Sequence, residues 1–482
     1  MLFNSVDFVF YLIIVFTLYW FVFNKRTQTR NLFLLVVSYI FYGWWEWKFL
    51  ILIAFSSFVD FSCGLKIRKT QSKKLKKKWL ILSLTTNLGL LGVFKYFNFF
   101  SNSFADILTS IGFNVHPITL KIMLPVGISF YTFQTLSYTI DVYRGKITPC
   151  SNPITFFSYV SFFPQLVAGP IERATNLLPQ FNKKKQFDYS KASQGLKLIL
   201  WGLFKKVVIA DYCAIIVNNV FDNYQEVSSS SLLLGIICFS FQIYGDFSGY
   251  SDIAIGTAKL FGFDLMTNFS KPYFSRDIAE FWRKWHISLS TWFRDYLYIP
   301  LGGSKGGKLK SLRNISIIFL VSGFWHGANW TFVFWGAIHT LLYIPLFVFN
   351  LNRVNLQEQT SLFPTFKNTI LMLINFCFVS LAWIFFRSKN MSNAFEYIYL
   401  LFTKPFGKLG IVLDSSYGAW IYWIIILIGL EWFSRKWPHP FELLNRIGIP
   451  KIFRFSVYLL FIFIIATKYF ENQQKEFIYF QF

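Results

Sequence analysis

Gly323-Phe324-Trp325-His326-Gly327-Ala328-Asn329-Trp330 sets a histidine inside a stretch apolar enough to lie in a lipid bilayer. Between residues 315 and 349 the only side chains that titrate readily are His326, His339 and Tyr343. An ionisable group at membrane depth is costly, so it faces a cavity, a partner or a pathway. Gly323, Gly327 and Ala328 let a second backbone or a slender substrate come close. At ~1.5 Å per residue against a hydrocarbon core of ~30 Å, this stretch makes one tilted helix or a broken pair.

The rest of the chain repeats that pattern. Of 482 residues, 54% are apolar, 22% aromatic and only 15% charged, with Phe supplying 62. A soluble protein of this length carries more charge. Long apolar runs divided by short polar loops predict an all-α polytopic integral membrane protein. We expect a single membrane domain over residues 1–482, with about ten to eleven transmembrane helices plus re-entrant and interfacial helices. The balance of 47 Lys+Arg against 23 Asp+Glu gives +24. That charge gathers in the loops, as topology bias and contact with anionic membrane lipid require, so nucleic acid is excluded as the partner. The five cysteines are scattered without a Cys-x-x-Cys, and an odd total gives no complete disulfide framework.

Charge also orients the chain. The first apolar run, Val6–Phe23, lacks a basic n-region and an A-x-A-like end, so it reads as a retained span. Lys25, Arg26 and Arg30 follow it, placing its C-terminal end in the cytoplasm and the N-terminus outside. Two further runs, residues 32–47 and 49–65, form a hairpin turning at Trp44, Trp45 and Trp47. The cationic block from Lys66 to Lys78 then returns to the cytoplasm, in agreement with the first signal. The expected location is the cytoplasmic (inner) membrane.

Further on, residues 120–142 form a span interrupted by Pro125 and Gly127, and another starts at Phe156 and breaks at Pro164. Lys205, Lys206 and Asp211 interrupt the apolar segment 195–219, predicting a break there or a position partly in the membrane interface. The span 231–244 opens into Gly245-Asp246-Phe247-Ser248-Gly249-Tyr250-Ser251-Asp252. We expect irregular backbone there, which a bilayer tolerates only beside a cavity or under protein. Residues 268–307 are too polar to span and read as short aromatic helices on the cytoplasmic side. Spans 369–386, 419–433 and 456–468 complete the chain, with an amphipathic piece at 394–402.

Several common chemistries are absent. Gly302-Gly303-Ser304-Lys305-Gly306-Gly307-Lys308 imitates a phosphate loop, but Leu309 replaces the Ser or Thr that would hold magnesium. No H-E-x-x-H or His/Cys cluster predicts a metal, and no G-x-S-x-G elbow predicts a serine nucleophile. His286 and His326 are left as the candidate catalytic groups, because imidazole takes a proton best near neutral pH. Arg173, Lys205, Lys206, Arg283, Lys284 and Arg294 are candidate contacts for an anionic donor such as a phosphorylated carrier.

Five ordered pieces carry a resemblance. They are Pro125-Val126-Gly127-Ile128-Ser129-Phe130-Tyr131-Thr132-Phe133-Gln134, Phe163-Pro164-Gln165-Leu166-Val167-Ala168-Gly169-Pro170-Ile171, Gly245 to Asp252, Phe281 to Asp295 (with Trp285-His286-Ile287-Ser288), and Phe324 to Trp330. The set covers roughly residues 120–340, the motif-bearing core, and resembles the membrane-bound O-acyltransferase family in its bacterial alginate O-acetylation branch. The resemblance implies helices around a central funnel or tunnel, with His326 as the family histidine and His286 nearer the cytoplasmic mouth. It implies acyl transfer from a cytoplasmic thioester, acetyl-CoA or an acyl carrier, toward the outside. There an SGNH, esterase-like acetyltransferase partner would modify an exported polysaccharide or peptidoglycan. His286, Asn329, Asp246, Gln165 and Trp325 are candidates to orient groups or line the path. D-alanyl transfer to teichoic acid is a second option on the same fold. A transporter of lipid-linked sugar or acyl groups is the alternative from another class, though the sequence shows no related halves.

Overall fold

The computed structural model describes residues 1–121, 123–167, 169–356, 361–407, 420–471 and 477–478. Among these residues every regular element is helical. Seven helices are long and apolar enough to cross a membrane: Val6–Phe23, Phe49–Lys69, Lys73–Ser110, Ser229–Leu260, Trp330–Val348, Phe366–Arg387 and Lys451–Glu471. Ile421–Phe433 is apolar but shorter. The helices Thr27–Glu46 and Lys308–His326 are about as long, but each opens on a polar turn that shortens its apolar face. The chain divides into two compact units, one of Met1–Leu196 with Ala254–Met266, the other of Lys197–Ile253 with Thr267–Phe482.

In the first unit, Phe49–Lys69 packs against Lys73–Leu91 and Ile128–Tyr143, and Thr27–Glu46 packs against Pro153–Ser161. Polar groups between these helices are matched to partners: buried Asp60 accepts from Asn87 Nδ2 at 2.9 Å and Thr139 Oγ1 at 3.1 Å. The expected span 120–142 becomes a helix only from Ile128 to Tyr143, because Pro125 and Gly127 delay its start; residue 122 lies outside the described residues. The span expected from Phe156 becomes two short helices, Pro153–Ser161 and Phe163–Leu166. Neither is long enough to cross a bilayer. Pro164 enters the first turn of the second helix, where its missing N–H costs nothing.

The helix Ser229–Leu260, which belongs to the second unit as far as Ile253, runs unbroken through Gly245 to Asp252, where the sequence predicts irregular backbone. The glycines there serve a helix crossing. A Cβ on Gly249 would lie 2.7 Å from Gly202 O, and one on Gly202 would lie 2.6 Å from Gly249 O. The segment around Lys205 and Lys206 does not break either. It widens into a π-helical stretch, Phe204–Ala210, between Tyr189–Leu203 and Asp211–Asp222. Both lysines are buried and paired: Lys205 Nζ meets Asp252 at 2.6 Å, and Lys206 Nζ meets Asp211 at 2.7 Å and Asp246 at 2.8 Å. Buried charges are tolerated when each finds such a partner.

Residues 315–349 resolve as the broken pair. Lys308–His326 and Trp330–Val348 form a helical hairpin joined by Gly327, Ala328 and Asn329. A Cβ on Gly323 would come within 2.2 Å of Phe332 O, and one on Gly336 within 2.3 Å of Phe319 O, so the two backbones touch through glycine. Phe366–Arg387 packs on the second arm. The expected span 419–433 starts outside the described residues; its described part, Trp420–Phe433, is helical.

Candidate active site

His326 is the last residue of its helix, at the hairpin turn, and is 3% exposed. The turn places it because Gly327 leaves helical geometry and Asn329 caps the next helix, its side chain accepting from Thr331 N at 3.0 Å. Aromatic rings enclose the imidazole. Centroid distances are 5.0 Å to Trp325, 5.2 Å to Trp335 and 5.4 Å to Phe386.

His286 arrives from a different part of the chain. It stands between the short helices Ile278–Lys284 and Ile287–Phe293, in the left-handed region with φ 43° and ψ 53°. That conformation is uncommon for a residue with a Cβ and costs of order 1–3 kcal/mol. Asn268 holds it. Asn268 O accepts from Ile287 N at 2.9 Å, and Asn268 Oδ1 lies 3.1 Å from His286 Nδ1. Burial pushes the His286 imidazole down to about 3, so it is neutral at ordinary pH.

The helix Ser229–Leu260 supports this arrangement with separate faces. Phe247 sets its ring edge-on to His286 at 4.6 Å, and Ser251, one turn on, accepts from Asn268 Nδ2 at 3.1 Å. Ser248 and Asp252 hold Lys205 on another face, while Asp246 holds Lys206. Asp246 also accepts from Ile478 N at 2.6 Å, and the Phe477 ring rests 4.4 Å from Tyr250. The ion pairs therefore anchor the helix that backs His286.

The structure brings the two candidate histidines together. Their ring centroids are 6.3 Å apart, tilted by 57°, with Trp325 6.0 Å from His286. His339 continues the row at 4.7 Å from Trp335, its Nδ1 accepting from Trp282 Nε1 at 3.3 Å.

Other expected residues have different surroundings. Asn329 is committed to its cap and donates to Lys389 O at 2.9 Å. Gln165 and Arg173 belong to the first unit, where Gln165 Nε2 donates to Tyr159 O at 3.1 Å and Arg173 stands at the N-terminus of Ala174–Asn182. Arg283 donates to Asn352 O and Asn355 O, at 3.1 and 3.0 Å. Arg294 is exposed beside Asp295 at 2.8 Å.

Lys284 lines an open cleft with Lys271, Arg276, Arg435, Glu280 and Trp432. Arg276 and Lys284 each reach Glu280 at 2.9 Å. Burial works to raise the Glu280 carboxyl, but the Arg276 hydrogen bonds and the Lys284 charge outweigh it and hold it below its usual value. Four cations against one carboxylate leave the cleft strongly positive. Lys271, Arg276, Arg435 and Asn268 carry no signal in the sequence, since each looks like an ordinary loop residue until the fold gathers them.

Seven membrane-length apolar helices among the described residues mark a multi-pass membrane protein, and comparison with known proteins specifies its family. A family model described as MBOAT, membrane-bound O-acyltransferase family, matches residues 40–384, and the chain belongs to that family. It is a multi-pass membrane protein and an acyltransferase. The chain is 40% identical over 404 residues to "Probable alginate O-acetylase AlgI" of Pseudomonas aeruginosa, covering 84% of this chain and 75% of that one. It is 38% identical over 425 residues to "Peptidoglycan O-acetyltransferase" of Helicobacter pylori, covering 82% and 79%. Similarity to "Teichoic acid D-alanyltransferase" of Streptococcus thermophilus is 30% over 258 residues, covering 50% and 62%.

Proposed function

We propose that the protein moves an acetyl group from a cytoplasmic thioester, acetyl-CoA, across the cytoplasmic membrane for O-acetylation of an exported polysaccharide, an alginate-like exopolysaccharide or peptidoglycan. The observation that carries this reading is the His286–His326 pair, 6.3 Å apart and walled by aromatic rings, in a chain of the O-acyltransferase family. The names of the Pseudomonas and Helicobacter relatives support acetyl as the group and a cell-surface glycan as its destination. They cover over four fifths of this chain, whereas the D-alanyl relative covers half, which favours acetyl transfer over D-alanyl transfer.

In the step we envisage, His326 takes the proton of an acceptor hydroxyl as its oxygen attacks the thioester carbonyl. The C–S bond breaks, the acetyl ester forms, and the imidazolium returns the proton to the leaving thiolate. Positioned general bases supply ~10²–10⁴-fold of rate. The aromatic wall excludes water, which would otherwise hydrolyse the thioester. The cleft of Lys271, Arg276, Lys284 and Arg435 suits the donor's phosphates, and its helix Ile278–Lys284 leads directly toward His286. The charge pattern around residues 25–30 and 66–78 supports an outside N-terminus and a cytoplasmic donor side. An extracytoplasmic esterase-like partner would complete delivery to the glycan. Comparing acetate in wall and exopolysaccharide from a deletion strain and its parent tests the reading: loss from either glycan supports it, and unchanged acetate in both overturns it.

A further inference from the structure

The hydrogen bonds around Asn268 fix the position of a proton. Asn268 Oδ1 lies 3.2 Å from Ser288 N, 2.9 Å from Ser288 Oγ and 3.1 Å from His286 Nδ1, and all three residues are buried. A backbone N–H can only donate, so the amide atom facing Ser288 N is the oxygen. The reversed amide would set its NH2 against the Ser288 N–H, two donors facing each other at 3.2 Å. An amide oxygen carries no hydrogen, so in the pair with His286 the imidazole must donate. Ser288 Oγ stands 3.5 Å from the same Nδ1, too long to compete with the 3.1 Å bond.

We infer that Asn268 is a positioning residue that locks His286 in its Nδ1–H tautomer, making Nε2 the ring's basic atom. Three anchors hold the lock: Ser288 N and Oγ orient the amide oxygen, Ser251 orients the amide nitrogen, and the Asn268 O to Ile287 N bond fixes the backbone between them. The left-handed conformation of His286 is the strain this arrangement sustains. In the reaction proposed above, on which this role rests, His326 remains the base and His286 presents Nε2 as a hydrogen-bond acceptor that orients the reacting groups. It does not stabilise the thioester oxygen as a donor from that atom.

The test is 15N NMR of the full-length protein, labelled at histidine nitrogens and held in lipid nanodiscs at pH 7.5. His286 is assigned among the five histidines by the signals lost in His286→Gln. A protonated Nδ1 with an unprotonated Nε2 in the wild type is the expected result, and a protonated Nε2 overturns the inference. Asn268→Asp keeps an acceptor oxygen facing His286 Nδ1 and should keep the tautomer. It also adds a negative charge that favours imidazolium, so a new His286 limb should enter the pH–rate profile. Asn268→Ala should mix the tautomers and lower kcat roughly tenfold, the scale of one lost hydrogen bond, leaving KM for acetyl-CoA unchanged. An unaltered tautomer in that variant also overturns the lock. The spectrum needs no substrate, so a correct tautomer with no acetyl transfer would reject the proposed reaction alone.

Discussion

His286 lies in a turn between two short helices and His326 at the end of a later helix, yet their imidazole centroids lie 6.3 Å apart. One histidine ends a hairpin arm and the other is bent into left-handed geometry between two short helices. Two groups that close can act on one reacting centre. Residues that work as a unit show non-additive losses, so the double variant His286→Gln/His326→Ala should be no slower than the slower single variant. Steady-state rates of the three variants measure this; multiplying losses would mean that the histidines act independently.

The hairpin depends on glycine contacts. Alanine at Gly323 or Gly336 would drive a methyl to 2.2–2.3 Å from a carbonyl oxygen of the opposing arm. Each substitution should cost about 1–3 kcal/mol, the usual scale of overpacking, and move His326 at the arm's end. Gly89, also helical, has nothing within 4 Å of its would-be Cβ. Gly89→Ala should therefore be neutral or stabilising by up to ~1 kcal/mol. Thermal unfolding in detergent separates the two classes.

Stability should fall in mild acid through His286. Burial lowers its pKa from 6.5 to about 3, so between those values only the unfolded chain takes the proton. The contribution is complete above pH 6.5 and disappears as pH drops toward 3. Glu280, held below its ordinary value, weakens the fold in the same direction as acid is added. Comparing wild type with His286→Gln isolates the histidine: the variant's melting temperature should change less between pH 7 and pH 5.

The cationic cleft predicts a binding effect. Arg276→Gln or Lys284→Gln should raise KM for acetyl-CoA roughly tenfold, about the ~1.5 kcal/mol of one hydrogen bond to a charged group. The turnover number should change little, and the difference should shrink with added salt as screening replaces the lost cation. A fall in kcat at constant KM would place these residues in the chemistry.

Much of this was legible in the sequence because membranes constrain sequences strongly. The apolar stretch with its small residues narrowed the fold there to one tilted helix or a broken pair, and both histidines stood out because imidazole is expensive in such surroundings. The segment from Gly245 to Asp252 misled because glycine serves an unwound helix and a close crossing alike; only the contact with Gly202 decides between them. Lys205 and Lys206 suggested a break because their carboxylate partners lie along other turns. Asn329 could have been read as a helix cap from its place just before Trp330. Asn268 had no such signal. A lone asparagine in a polar loop looks like a turn residue, and its bond to His286 exists only once the backbone pairs residue 268 with residue 287.

The most direct measurement uses purified protein in proteoliposomes supplied with radiolabelled acetyl-CoA, the extracytoplasmic esterase-like partner and a soluble glycan acceptor. Wild-type protein should release the thiol and place label on the acceptor, while His326→Ala, inserted to the same level, should lose ~10²–10⁴-fold of that rate. Equal transfer by His326→Ala would contradict the account.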